Sequence, residues 1–94
     1  MTQRNKKANR VNPHMQENDI EAAIRRLDTE IAAHPEDDSL FYERGNAYWK
    51  IQDWKQCLDN YTEAIRLNPD SPAVSMRNMV RNILQFYNKE MYNV

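Results

Sequence analysis

From Asp19 onward the apolar residues of the chain recur in steps of three and four. Ile20, Ala23, Ile24, Leu27 and Ile31 share one side of a helical wheel, which predicts an amphipathic helix. Asn18 or Asp19 stands at its head, with Glu21 placed to answer Asn18 as in a capping box. Pro35 forbids the α conformation at His34, so this helix is expected to stop near Ala33. Glu36, Asp37 and Asp38 then offer carboxylates to the positive end of a second helix, expected over 38–51. Asp53, with Gln56 three residues on, predicts the start of a third, which runs to about Leu67 before Asn68-Pro69 ends it. Ser71-Pro72 opens a fourth, since serine accepts from an early amide and proline lacks an N–H that would be unpaired there anyway.

On that last segment Met76, Met79, Val80, Ile83, Leu84, Phe86 and Tyr87 fall in one arc, and Arg77, Asn78, Arg81, Asn82, Gln85, Asn88 and Lys89 in the other. The apolar arc is about 160° wide at 100° per residue, more than is needed to cover one helix pair. It therefore either wraps further, continued by Met91 and Tyr92, or meets a partner.

Pro35 and Pro69 each close a helix and stand 34 residues apart. The segment Asp19 to Leu27 superposes on Asp53 to Tyr61 with the cap, a bulky residue, a small one and a bulky one in register, so the chain contains an internal repeat. Within it, Phe41, Arg44, Gly45 and Tyr48, followed by Cys57, Tyr61, Ala64 and Pro69, resemble one full tetratricopeptide repeat. Close packing explains the pattern: Gly45 and the small Cys57 let two antiparallel helices approach, while Phe41, Tyr48 and Tyr61 fill the remaining space. Three positions depart from the family: Arg44 replaces leucine, Gln52 replaces the glycine that usually ends the first helix, and Cys57 replaces alanine.

The resemblance implies an all-α fold of antiparallel helix pairs, a short α-solenoid. Residues 1–15 form a basic tail too poor in apolar residues to bury and expected to be disordered; 16–92 form the helical domain. Its parts are a half repeat at 16–37, a full repeat at 38–71 and an amphipathic capping helix at 72–89. Solenoid units bury their faces against neighbours, so the last helix must seal the array.

In such arrays the first helices of successive pairs line a concave groove. By resemblance the groove residues here are Ser39, Tyr42, Asn46, Trp49 and Lys50, on the side opposite Phe41, Gly45 and Tyr48. Tyr42 and Trp49 then either stand near solvent, as aromatics that dominate binding hot spots do, or pack under the last helix or the basic tail. Asn46 is suited to a peptide backbone. The carboxylate-clamp form of the family needs lysine and asparagine on several consecutive helices, and here only Asn46 and either Arg77 or Arg81 resemble it.

Composition narrows the partners. Thirteen basic against fourteen acidic side chains leave no global field for nucleic acid or an anionic membrane, and the tail charges Arg4, Lys6, Lys7 and Arg10 lack interleaved aromatics. One glycine and four prolines are too few turn signals for a many-stranded sheet. The single Cys57 excludes an internal disulfide, and with no apolar run long enough to span a bilayer the chain is expected to be cytoplasmic. His14 and His34 stand apart, without cysteines or paired carboxylates at ligand spacing, and no nucleophile and base occur together. The expectation is a non-catalytic module without cofactor or metal that binds another protein or peptide. The alternatives are a self-associating unit in which a second copy completes the array, and a nucleic-acid accessory acting through the basic tail.

Overall fold

A computed structural model describes residues 13–92, with side chains over 18–87. Four helices follow in order: α1 (Pro13–Ala33), α2 (Asp38–Lys50), α3 (Trp54–Leu67) and α4 (Ala73–Tyr92). Each packs on its neighbour in the chain, α1 on α2, α2 on α3 and α3 on α4, as in a row of helical hairpins.

The helix ends follow from local hydrogen bonding. Asp37 caps α2 by accepting from the Ser39 amide at 3.0 Å and the Ser39 hydroxyl at 2.6 Å. The Ser39 hydroxyl is the larger influence holding the Asp37 carboxyl below its ordinary pKa, followed by the amide. Asp53 caps α3 by accepting from the Gln56 amide at 3.3 Å, and Ser71 Oγ accepts from the Ala73 amide at 3.0 Å ahead of α4. The turn from α2 to α3 passes through Gln52 at φ 60°, a left-handed conformation that glycine adopts without strain. Asn68 Nδ2 donates to Asp38 Oδ2 at 3.2 Å, tying the end of α3 to the start of α2.

Helix α1 begins at Pro13, not at Asn18 or Asp19, so the expected Asn18–Glu21 capping box does not exist and both caps are interior residues. Proline in a first turn costs no hydrogen bond, and Met15, Gln16 and Glu17 are good helix formers, so the helix propagates past the weaker Asn18. The expected disordered tail is thus shortened where it overlapped 13–15, and its residues 1–12, with Arg4, Lys6, Lys7 and Arg10, lie outside the described residues. Helix α4 runs past the expected end at 89 to Tyr92.

The core lies between α2, α3 and the first turns of α4. Cys57, Tyr61, Ala64, Ala73 and Val80 are fully buried beside Phe41, with Tyr48, Trp54, Leu58, Met76 and Leu84 packed around them. Leu27 and Ile24 close the α1 side. The closest approach is between α2 and α3 at Gly45, where a Cβ would stand 2.5 Å from Tyr61 Cε1. Glycine is therefore required by Tyr61, and the Cys57 thiol adds a weak bond to the Gly45 carbonyl at 3.5 Å.

Arg44 holds three helices together. Its Nε donates to Asn60 Oδ1 on α3 at 2.8 Å, a second guanidinium nitrogen reaches Asp28 on α1 at 2.6 Å, and the head lies 5.5 Å from the Phe41 ring centre. Asn60, buried, donates in turn to the Gln56 carbonyl at 2.9 Å. The position where the family prefers leucine thus carries a polar tie that leaves the aromatic packing intact.

Candidate functional site

The five expected groove residues lie on one face of α2 but differ in their surroundings. Ser39 and Lys50 are exposed, while Tyr42, Asn46 and Trp49 are half-buried. Tyr42 leans on Tyr61 with ring centres 6.1 Å apart, and Trp49 meets Trp54 edge to face at 5.3 Å. Each aromatic thus has one side against the core, neither standing free in solvent nor hidden, and is held in one orientation by its neighbour.

Asn46 is partly committed. Its Oδ1 accepts the Tyr61 hydroxyl proton at 2.6 Å, which leaves the amide nitrogen as the group able to reach outward. Sequence reasoning missed this bond, because an asparagine on the groove side gives no sign that a tyrosine 15 residues later reaches through to it. Burial pushes the Tyr61 hydroxyl well above its ordinary pKa, so it stays protonated and donates.

Beside this face lies an open cleft of about 340 Å³ between α1 and α2. Ile20, Ala23, Leu27 and Ala47 form its floor, and Asp19, Arg26, Glu43, Asn46 and Lys50 its rim. Asn46 and Lys50 therefore belong to both surfaces, whereas Ser39, Tyr42 and Trp49 do not reach the cleft.

On α4 the apolar arc divides. Ala73 and Val80 are fully buried and Met76, Ile83 and Leu84 half-buried, but Met79, Phe86 and Tyr87 remain about half exposed. Arg77, expected on the polar side, is itself half-buried. Cys57 is enclosed, and burial, assisted by the charge of Asp53, raises its thiol pKa to about 11, so it is a packing group and not a nucleophile.

The tetratricopeptide repeat model matches residues 39–71, the segment that holds Gly45, Tyr61 and the α2–α3 turn. Residues 39–71 are a tetratricopeptide repeat. It is similar to the solution NMR structure of Bacteroides fragilis protein BF1650, with 44% identity over 83% of this chain and 89% of that one, and a TM-score of 0.55. No curated protein matches the sequence. Tetratricopeptide repeats are in general non-catalytic folds that mediate protein–protein contacts, and the described residues here form an all-helical hairpin row. Among the described residues no helix is long and apolar enough to cross a membrane.

Proposed function

We propose that this tetratricopeptide repeat protein holds another polypeptide against the α2 face formed by Ser39, Tyr42, Asn46, Trp49 and Lys50. The observation that carries the reading is the pair of half-buried aromatics, each braced from behind by a core ring, at 6.1 Å for Tyr42 and 5.3 Å for Trp49. A braced ring loses little freedom when a ligand covers its outer side, which is why tyrosine and tryptophan concentrate binding energy. The Asn46 amide, fixed by its bond to Tyr61, is a ready donor for a backbone carbonyl, and Lys50 adds a positive charge at the edge. An extended peptide fits this arrangement, since it offers carbonyls at regular spacing and side chains to cover the rings.

Peptides selected from a display library on the full chain provide the test. Binding should weaken at least about tenfold, or 1.4 kcal/mol, in Lys50→Glu and in Ser39→Arg, two exposed changes that leave helix content intact. Amide shifts induced by the peptide should cluster on α2. Peptide-induced shifts confined to α3, with both variants binding normally, would exclude this face.

A further inference from the structure

The α1–α2 cleft and the outer stripe of α4 fit one another, and we infer that α4 of one copy docks in the cleft of a second copy, against its α1. This surface is distinct from the proposed peptide face, shares with it only Asn46 and Lys50, and does not depend on that reading.

The internal repeat supplies the register. Since Asp19 to Leu27 matches Asp53 to Tyr61, α1 corresponds to α3, and by the same 34-residue step α4 corresponds to α2. Helices α2 and α3 form a tight antiparallel pair within the chain, yet among the described residues neither α1 nor α4 has such a mate on the equivalent face. The α1 side of the cleft, with Ala23, Arg26 and Leu27, is the face that corresponds to Cys57, Asn60 and Tyr61, the residues α3 turns toward α2.

Two contacts of the α2–α3 pair reappear with their partners exchanged. Where Gly45 makes room for the large Tyr61, α4 carries the larger Met79 and α1 the smaller Leu27 with Ala23 beside it, so the volume moves across the contact. Where Arg44 donates to the carbonyl of Asn60, α4 carries Asn78 and α1 carries Arg26, so donor and acceptor change sides. Met79 and Asn78 are exposed, Ala23 and Arg26 line the cleft, and the buried Leu27 forms its floor. In the same register Phe86, 58% exposed, stands opposite Ile20.

The lengths agree as well. Helices α4 and α1 have 20 and 21 residues, against 13 and 14 for α2 and α3. The excess of α4 is at its C-terminal end and that of α1 at its N-terminal end, which are the ends an antiparallel pairing brings together. The register that sets Met79 on Leu27 places Ala73 opposite Ala33 and Tyr92 opposite His14, so the two helices overlap along their whole length. Charge favours the encounter along α1: over 73–87 α4 carries Arg77 and Arg81 and no acid, while Asp19, Glu21, Asp28 and Glu30 outnumber Arg25 and Arg26 on α1, and the cleft rim is itself balanced, Asp19 and Glu43 against Arg26 and Lys50.

Sedimentation of the full chain over a concentration series tests the contact, with circular dichroism confirming helix content. The mean mass should rise above the monomer as concentration rises. A variant spoiled on α4, Met79→Glu with Phe86→Glu, should remain monomeric, and so should one spoiled in the cleft, Ala23→Arg. An equimolar mixture of the two should regain association and stop at twice the monomer mass, because each supplies the face the other lacks. Should Ala23→Arg lose helix, Ile20→Lys, in the cleft opposite Phe86, takes its place. A full chain that stays monomeric at high micromolar concentration overturns the inference. So does a cleft variant that still self-associates, since α4 would then be meeting α4.

Discussion

At Gly45 two opposing effects can be weighed. Alanine would be the better helix former by about 1 kcal/mol, but its Cβ would lie 2.5 Å from Tyr61 Cε1 and 2.7 Å from Cδ1, inside a packed ring that has nowhere to move. Overpacking of this kind costs roughly 1 to 3 kcal/mol, so with the helix gain subtracted Gly45→Ala should lower the urea midpoint by an amount worth up to about 2 kcal/mol. Adding Tyr61→Leu should remove most of the penalty attributable to the alanine, a coupling read from the double-mutant cycle. The neighbouring Cys57 makes stability depend on alkaline pH. Its folded pKa is raised from 9.0 to about 11, first by burial and then by Asp53, so the unfolded thiol ionises before the folded one. Stability from this group is complete below pH 9 and is lost as pH rises toward 11. Denaturation followed across that window should show a steeper decline for the native sequence than for Cys57→Ala, with the part due to Tyr61 left in both. Equal slopes would mean that the thiol is reached by water.

The elements show what sequence patterns reveal and what they omit. Caps at Asp53 and Ser71, breaks at Pro35 and Pro69, and the α2–α3 packing around Gly45 were legible because each depends on residues at fixed local spacing. Arg44 reads only as a misfit, because its partners Asp28 and Asn60 each lie 16 residues away and polar ties of that range leave no periodic trace. The bond that occupies Asn46 was hidden for the same reason, and α1 outran its apparent caps because a possible cap does not by itself end a helix. Replacing Arg44 with methionine keeps the bulk but strips the buried Asn60 oxygen of its donor, at a cost of about 1 to 3 kcal/mol. Arg44→Met with Asn60→Leu should recover part of that loss, while Asp28→Asn, at an ion pair whose acid is 54% exposed, should cost under about 1 kcal/mol. If Asp28→Asn is as damaging as Arg44→Met, the tie runs through α1 and not α3. The α2–α3 turn offers the opposite change. Gln52 is held at φ 60° on the surface, where a Cβ carries a penalty of about 1 kcal/mol, so Gln52→Gly should raise the urea midpoint by the equivalent of about 0.5 to 1 kcal/mol with an unchanged slope.

At the scale of the molecule, stability among the described residues is shared mainly between adjacent helices. Among the described residues α2 and α3 each pack closely on two neighbours, whereas α1 packs closely on α2 and α4 on α3. A row of this kind loses its ends before its middle, because opening an outer helix breaks one interface and opening an inner one breaks two. Amide exchange should therefore be slowest at the α2–α3 contact, around Ala47 and Tyr61, faster in α1, and fastest in α4 beyond Leu84, where Phe86 and Tyr87 are at least half exposed. The Arg44–Asp28 tie should slow α1 near Asp28, and Arg44→Met should abolish that local gain. Uniform protection over all four helices would mean that they unfold as one unit, with the outer helices held by more than their single neighbours. A gradient confined to the dilute protein, flattening over 79–87 and 19–27 as concentration rises, is the pattern expected when α4 finds the cleft of another copy, because each outer helix then acquires the second neighbour that α2 and α3 already possess.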